Sequence, residues 1–131
     1  MSTVQLTGEN FEAKATGEGI TLVDFWASWC GPCRAFAPVF EKASETHPDI
    51  TFGKVDTEAE PGLGAAFQVS AIPTLMALRD GVLLAAQPGA MGAAALDELV
   101  ARVKALDMDE MLRTLDAQEP DAGEANQQER A

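Results

Sequence analysis

The sequence predicts a single α/β domain, and three observations carry that prediction. Between residues 20 and 106, short apolar runs of strand length alternate with segments of helical periodicity, the pattern of strands that cross over through helices. Two of those runs are separated by Asp80-Gly81 alone, a two-residue signal for an antiparallel hairpin. A length of 131 residues with 47% hydrophobic content suits one compact core.

In chain order, Ile20 to Ala27 reads as a central strand, rich in β-formers and apolar on both faces except for Asp24. Pro32 to Glu45 follows as a helix with Phe36, Val39, Phe40 and Ala43 on one face, and Pro38 inside it should kink it. Ile50 to Asp56 is the next strand. Pro61 to Phe67 suits a short helix that opens on proline and is weakened by Gly64. Thr74 to Arg79 and Val82 to Gln87 form the hairpin around Asp80-Gly81. Ala93 to Leu106 closes the domain as an amphipathic helix, with Leu96, Leu99, Val100 and Val103 at helical spacing.

A composition boundary near Leu106 sets residues 1–106 apart as the domain. Positions 107–131 hold eight acids and two bases, half of the formal charge of −12. Within 107–118, Met108, Met111, Leu112 and Leu115 recur at the spacing of a short amphipathic helix, which could equally be a frayed extension of the preceding one. Residues 119–131 are acidic and almost without large apolar side chains, so they cannot offset their ordering entropy and are expected to be disordered.

Charge and cysteine content narrow the function. A surface at −12 repels nucleic acids and anionic membranes, so protein or neutral partners are expected. No apolar run approaches the roughly 18 residues of a membrane span, and Met1 to Glu12 lacks the basic-then-apolar order of a secretory signal. Both point to a cytoplasmic location, although a chain trimmed of its leader would look the same. Two cysteines and the single His47 cannot complete a four-ligand zinc site in one chain, so no metal is expected. Arg34 after the second cysteine excludes covalent haem attachment. His47 precedes Pro48 in a polar loop and reads as solvated.

The chemistry is concentrated in Trp29-Cys30-Gly31-Pro32-Cys33, where a strand runs into Cys-x-x-Cys at the opening of a helix. The spacing brings both sulfurs together in the first turn, so a disulfide can close with little backbone movement. Unpaired N–H groups and the dipole at the helix start favour a thiolate on Cys30, the nucleophile. Gly31 lets a partner's backbone approach closely, and Pro32 starts the helix with a fixed φ, leaving Cys33 a turn inside as the resolving thiol. The mechanism that follows is attack of the Cys30 thiolate on a substrate disulfide, then release of reduced substrate by Cys33. A merely stabilising disulfide is the weaker reading, since closing so small a loop contributes only about 2 kcal/mol. Asp24, alone in a buried strand, should have its pKa raised by desolvation and could hold or accept a proton.

These residues resemble the thioredoxin family over about positions 3–106. The markers are Val23-Asp24-Phe25-Trp26-Ala27-Ser28-Trp29-Cys30-Gly31-Pro32-Cys33, then Lys54-Val55-Asp56, Ala71-Ile72-Pro73-Thr74 and Gly89. The resemblance implies a central mixed sheet flanked by helices on both faces and a monomer that reduces protein disulfides in cellular redox homeostasis and electron transport. It implies no bound cofactor, only the redox-active Cys30–Cys33 disulfide, with electrons supplied from NADPH by a flavin-containing thioredoxin reductase. Asp24 matches the family's buried aspartate, which assists deprotonation of the resolving cysteine, with Lys54 as its modulator. Ile72-Pro73 matches a cis-proline loop beside the cysteines, where the backbone of Ile72 pairs with an extended substrate peptide. Trp29, Gly31, Pro32, Gly89 and Ala90 border the same groove, and Trp26 packs beneath the site.

Two features depart from the pattern. Pro88 stands beside Gly89 where the family more often has a β-branched residue, which puts one rim of the groove in question. The acidic extension after Leu106 has no counterpart in a minimal thioredoxin. Isomerases and oxidases of similar build usually carry histidine between the cysteines, so Gly31-Pro32 argues for a reductant. A redox-independent binding module remains a reading from a different class, distinguished by whether the protein accelerates insulin reduction.

Overall fold

The computed structural model describes residues 2–114. In chain order its elements are β1 (Thr3–Gln5), α1 (Phe11–Ala15), β2 (Ile20–Trp26), α2 (Gly31–Thr46), β3 (Thr51–Asp56), α3 (Pro61–Ala66), β4 (Thr74–Arg79), β5 (Val82–Pro88) and α4 (Ala93–Ala105). The strands form one sheet in the order β1-β3-β2-β4-β5. β3 runs parallel to both β1 and β2, whereas β4 is antiparallel to β2 and to β5, so the sheet is mixed. β2 sits at its centre and its middle five residues are buried.

Strand alternation sorts the core into two layers, because successive side chains leave a strand on opposite faces. Leu22, Phe52, Leu75 and Ala77 join Phe36 and Phe40 of α2 and Leu96, Leu99, Val100 and Val103 of α4. Val23, Phe25, Val55, Met76 and Leu78 face the other way, onto Phe11 and Ala15 of α1, Leu63 of α3 and Phe67 at its end. Helices thus cover both faces.

Two elements have no counterpart in the sequence reading: β1, of three residues, and α1, of five, are each too short for periodicity to register. β1 is held by pairing with β3. Leu6, just beyond it, packs against Gly53, where a larger residue would collide with it. α2 runs from Gly31 to Thr46 with Pro38 inside it, as expected. His47 is not a freely solvated loop residue. It ends α2, its ring stacks on Phe52 with centroids 6.4 Å apart, and its Nε2 lies 3.3 Å from an Asp97 carboxylate oxygen on α4. Sequence gave no sign of this because Asp97 is fifty positions away.

The hairpin turn forms at Asp80-Gly81, both with positive φ (54° and 81°), as a two-residue turn of this hand requires. Asp80 also anchors the hairpin to the start of β2, its carboxylate accepting the Gly19 N–H at 2.8 Å. Arg79, at the end of β4, donates to the carbonyls of Val103, Lys104 and Leu106 at 2.9, 3.2 and 3.0 Å. These are carbonyls that a helix end leaves without intrahelical partners, so the guanidinium fastens the end of α4 to the sheet. Arg79→Met is expected to lower stability by about 1–3 kcal/mol, read as a lower urea midpoint with unchanged slope. Residues 108–114 are again helical, with Met108 buried and Leu112 exposed. Leu115 and the segment 119–131 lie outside the described residues.

Candidate active site

β2 delivers the chain to the top of the sheet, and Ala27 to Trp29 carry it into α2. Cys30 keeps extended backbone (φ −86°, ψ 113°) and caps the helix, with Pro32 in the first turn. Its sulfur accepts the backbone N–H of Cys33 at 3.2 Å, and its own N–H donates to Ala27 at 3.2 Å. Cys30 and Cys33 form a disulfide with their Cα atoms 5.2 Å apart. A sulfur in the N-cap position faces the unpaired N–H groups of the helix start, which stabilise negative charge there when the bond is reduced. Arg34 does not reach the sulfurs; its guanidinium donates to the Ser28 carbonyl at 3.0 Å.

Exposure does not separate the two cysteines as sharply as the sequence suggests: Cys30 is 4% exposed and Cys33 2%. They differ in position: Cys30 is the N-cap of α2 and Cys33 its third residue. What is exposed is the frame around them. Trp29 is 66% exposed, and Gly31 and Pro32 lie at the surface.

The Ile72–Pro73 peptide bond is cis. The Ile72 carbonyl oxygen lies 3.7 Å from the Cys30 sulfur, and the Ile72 side chain packs on the cystine with Trp26. Gly89, at φ +94°, donates its N–H to the Pro73 carbonyl at 2.7 Å, which holds Gly89 and the adjoining, exposed Ala90 beside this loop. Pro88 is the last residue of β5, an edge strand where a proline interrupts no further pairing, and its partner on β4 is Thr74. From Trp29 and Ile72 a groove of about 430 Å³ runs to α3, walled by Pro61, Gly64, Ala65 and Ala71. That α3 wall is absent from the sequence reading, because small residues carry no local signal and only the fold brings them into one groove with Trp29 and Ile72. A second concavity, of about 390 Å³, lies between α2 and α4.

Asp24 lies two residues beyond Leu22 on β2, so it points to the face covered by α2. It is fully buried, and neither carboxylate oxygen has a hydrogen-bond partner among the described residues. Burial pushes its pKa up from 3.8 to about 7, partly opposed by the positive charge of Lys54, its register partner on β3. The carboxyl can therefore change protonation state near neutral pH. Among the described residues no three His, Cys, Asp or Glu side chains gather as a metal site, and no helix is long and apolar enough to cross a membrane.

A cystine closed across the first turn of a helix, capped by backbone N–H and seated at the end of a mixed sheet, defines a thiol–disulfide oxidoreductase. Comparison with known proteins makes the class specific. The family model described as Thioredoxin matches residues 2–105, and the chain belongs to the thioredoxin family. It is 52% identical over 122 residues to the "Putative thioredoxin 2" of Streptomyces coelicolor, covering 93% of this chain and 91% of that protein. It is 39% identical to the thioredoxin of Bacillus subtilis over 76% of this chain and 96% of the relative. Against the thioredoxin of Mycobacterium tuberculosis the identity is 41% over 72% of this chain and 84% of the relative. Its activity is thiol–disulfide reduction through the redox-active pair Cys30–Cys33.

Proposed function

We propose that this protein is a cytoplasmic electron carrier that reduces protein disulfides, with Cys30 as nucleophile and Cys33 as resolving thiol. One observation carries the division of labour: the Cys30 sulfur caps α2 and accepts the Cys33 N–H. The Cys30 thiolate attacks one sulfur of the substrate disulfide, and the other sulfur leaves as a thiolate. Asp24 takes the Cys33 proton, directly or through water, and the Cys33 thiolate then attacks Cys30 in the mixed disulfide. The substrate's second thiolate leaves, the Cys30–Cys33 bond forms, and two electrons have passed to the substrate. Lys54 tunes the Asp24 charge. A thioredoxin reductase returns the pair to the dithiol with electrons from NADPH, and no bound cofactor takes part.

Substrate peptides lie extended across Trp29, Gly31 and Pro32, pair with the backbone at Ile72 beside Pro73, and are bordered by Gly89 and Ala90. The test is insulin reduction driven by NADPH and a reductase: turnover that depends on this protein supports the reading, and turnover equal to the protein-free control overturns it.

Residues 1–106 carry the chemistry in this reading, and the acidic segment beyond acts on association. Truncation after Thr114 keeps the buried Met108 and changes the formal charge from −12 to −8. Folding and insulin reduction by dithiothreitol should be preserved, while the rate of encounter with a charged reductase changes at low salt and converges with the full chain at high salt. An effect independent of ionic strength would assign the segment a structural role.

A further inference from the structure

Lys54 meets two side chains of the neighbouring strand at once. Asp24 and Trp26 alternate onto the same face of β2, and the parallel register makes Lys54 the direct partner of Asp24, with Trp26 two residues further along. The Lys54 ammonium lies 5.0 Å from the centroid of the Trp26 ring, within the range where an indole face attracts a cation. The same ring packs on Ala27 and the Cys30–Cys33 cystine. Asp24 has no hydrogen-bond partner among the described residues, so the field of Lys54 is the favourable interaction its ionised form has.

We propose that Trp26 is a positioning residue for thiol exchange, its indole face holding the Lys54 ammonium beside the Asp24 carboxylate. A lysine ammonium is strongly hydrated and sits on a flexible four-carbon stem, so without a counter-surface it would turn to water and leave Asp24 unaided. The indole supplies that surface without forming a salt bridge that would fix Asp24 as a permanent anion. Among the described residues, the neighbouring charged groups are engaged elsewhere. Asp56, opposite Trp26, directs its carboxylate to the N–H groups of Glu58 and Ala59 at 2.9 and 3.4 Å. On β4 the partner of Asp24 is the apolar Leu75, and from α2 the Arg34 guanidinium goes to Ser28.

The inference rests on the reading in which Lys54 acts on Asp24, and the experiment separates the two. The Asp24 carboxyl is followed by carbon NMR through a pH titration of the oxidised protein, in wild type, Lys54→Met, Trp26→Leu, Trp26→Phe and the Lys54→Met/Trp26→Leu double variant. Lys54→Met should raise the midpoint, Trp26→Leu should raise it by roughly half a pH unit, and Trp26→Phe, which keeps an aromatic face, should restore most of the difference. The double variant should match Lys54→Met alone, since Trp26 acts through the lysine. A midpoint unmoved by Lys54→Met overturns the role of the lysine itself. A midpoint moved by Lys54→Met but not by Trp26→Leu, or moved by Trp26→Leu equally with and without the lysine, overturns the positioning role. A second readout needs no substitution: the Lys54 Cε protons of the wild type should be shifted upfield by the ring current, and resonance at the position of the exposed Lys42 would contradict the proposal.

Discussion

Cys30→Ser is expected to reduce insulin reductase activity by roughly 10³-fold or more, because a serine hydroxyl at that position is not ionised near neutral pH and forms no mixed disulfide. Cys33→Ser should behave differently. The remaining Cys30 thiolate can still attack, but nothing inside the protein resolves the adduct, so mixed disulfides accumulate and appear as reducible bands on non-reducing gels. Burial does not explain the asymmetry, since the oxidised protein covers both sulfurs almost equally, at 4% and 2% exposure. The explanation lies in where each sulfur sits. Cys30 caps α2 and receives the Cys33 N–H at 3.2 Å, whereas Cys33 is three residues inside the helix, beyond the strongest part of its field. In the reduced protein at pH 7, iodoacetamide should therefore label Cys30 well ahead of Cys33. Equal labelling would mean that the helix start does not discriminate between them. Activity retained in Cys30→Ser would reverse the assignment of nucleophile and resolving thiol.

The parts of this molecule that were legible in the sequence are those with a local physical signature. The apolar run with a lone Asp24 marks β2 as a strand buried on both faces, and Asp80-Gly81 specifies a turn that almost no other pair forms as readily. Cys-x-x-Cys after a strand places the chemistry within four residues. The rest depends on contacts between distant segments. Nothing near His47 announces that Asp97 will face it, and nothing near Arg79 announces that the end of α4 will arrive at its guanidinium. The α3 wall of the groove includes Gly64 and Ala65, residues whose contribution is the space they leave. Trp26 shows the same limit from the other side. Its apolar bulk suggests plain packing, and only the register of β2 against β3 reveals that a lysine lies over its face. Pro38 was legible as a residue inside a helix, and α2 runs on through it, packed on the sheet on both sides through Phe36 and Phe40.

Asp24→Asn should leave stability nearly independent of pH between about 4 and 7, the window in which the wild type loses it. The folded carboxyl keeps its proton up to about pH 7, whereas the unfolded chain releases it near 3.8. Between those values the native state holds more protons than the unfolded state, so wild-type stability falls as pH rises and levels off above 7. A shift of that size corresponds to a penalty on the order of 4 kcal/mol at alkaline pH, because an unpartnered carboxylate is then buried as an anion. The Asn variant escapes it but leaves a neutral amide without partners, at a cost of about 1–3 kcal/mol. Urea titrations at pH 8 should accordingly find the variant more stable by about 1–3 kcal/mol, with the advantage gone at pH 4, where the wild-type carboxyl is neutral as well. The same substitution removes a proton acceptor, so resolution of the mixed disulfide should slow by roughly 10- to 100-fold at pH 7 and recover as pH approaches the intrinsic range of the Cys33 thiol. Gain of stability and loss of resolution rate have one origin, the ionised carboxylate kept in an apolar site, and should therefore rise together over the same pH interval. A variant no more stable than wild type at pH 8 would show that Asp24 does not carry the buried charge, and a resolution rate unchanged at pH 7 would show that it does not take the Cys33 proton.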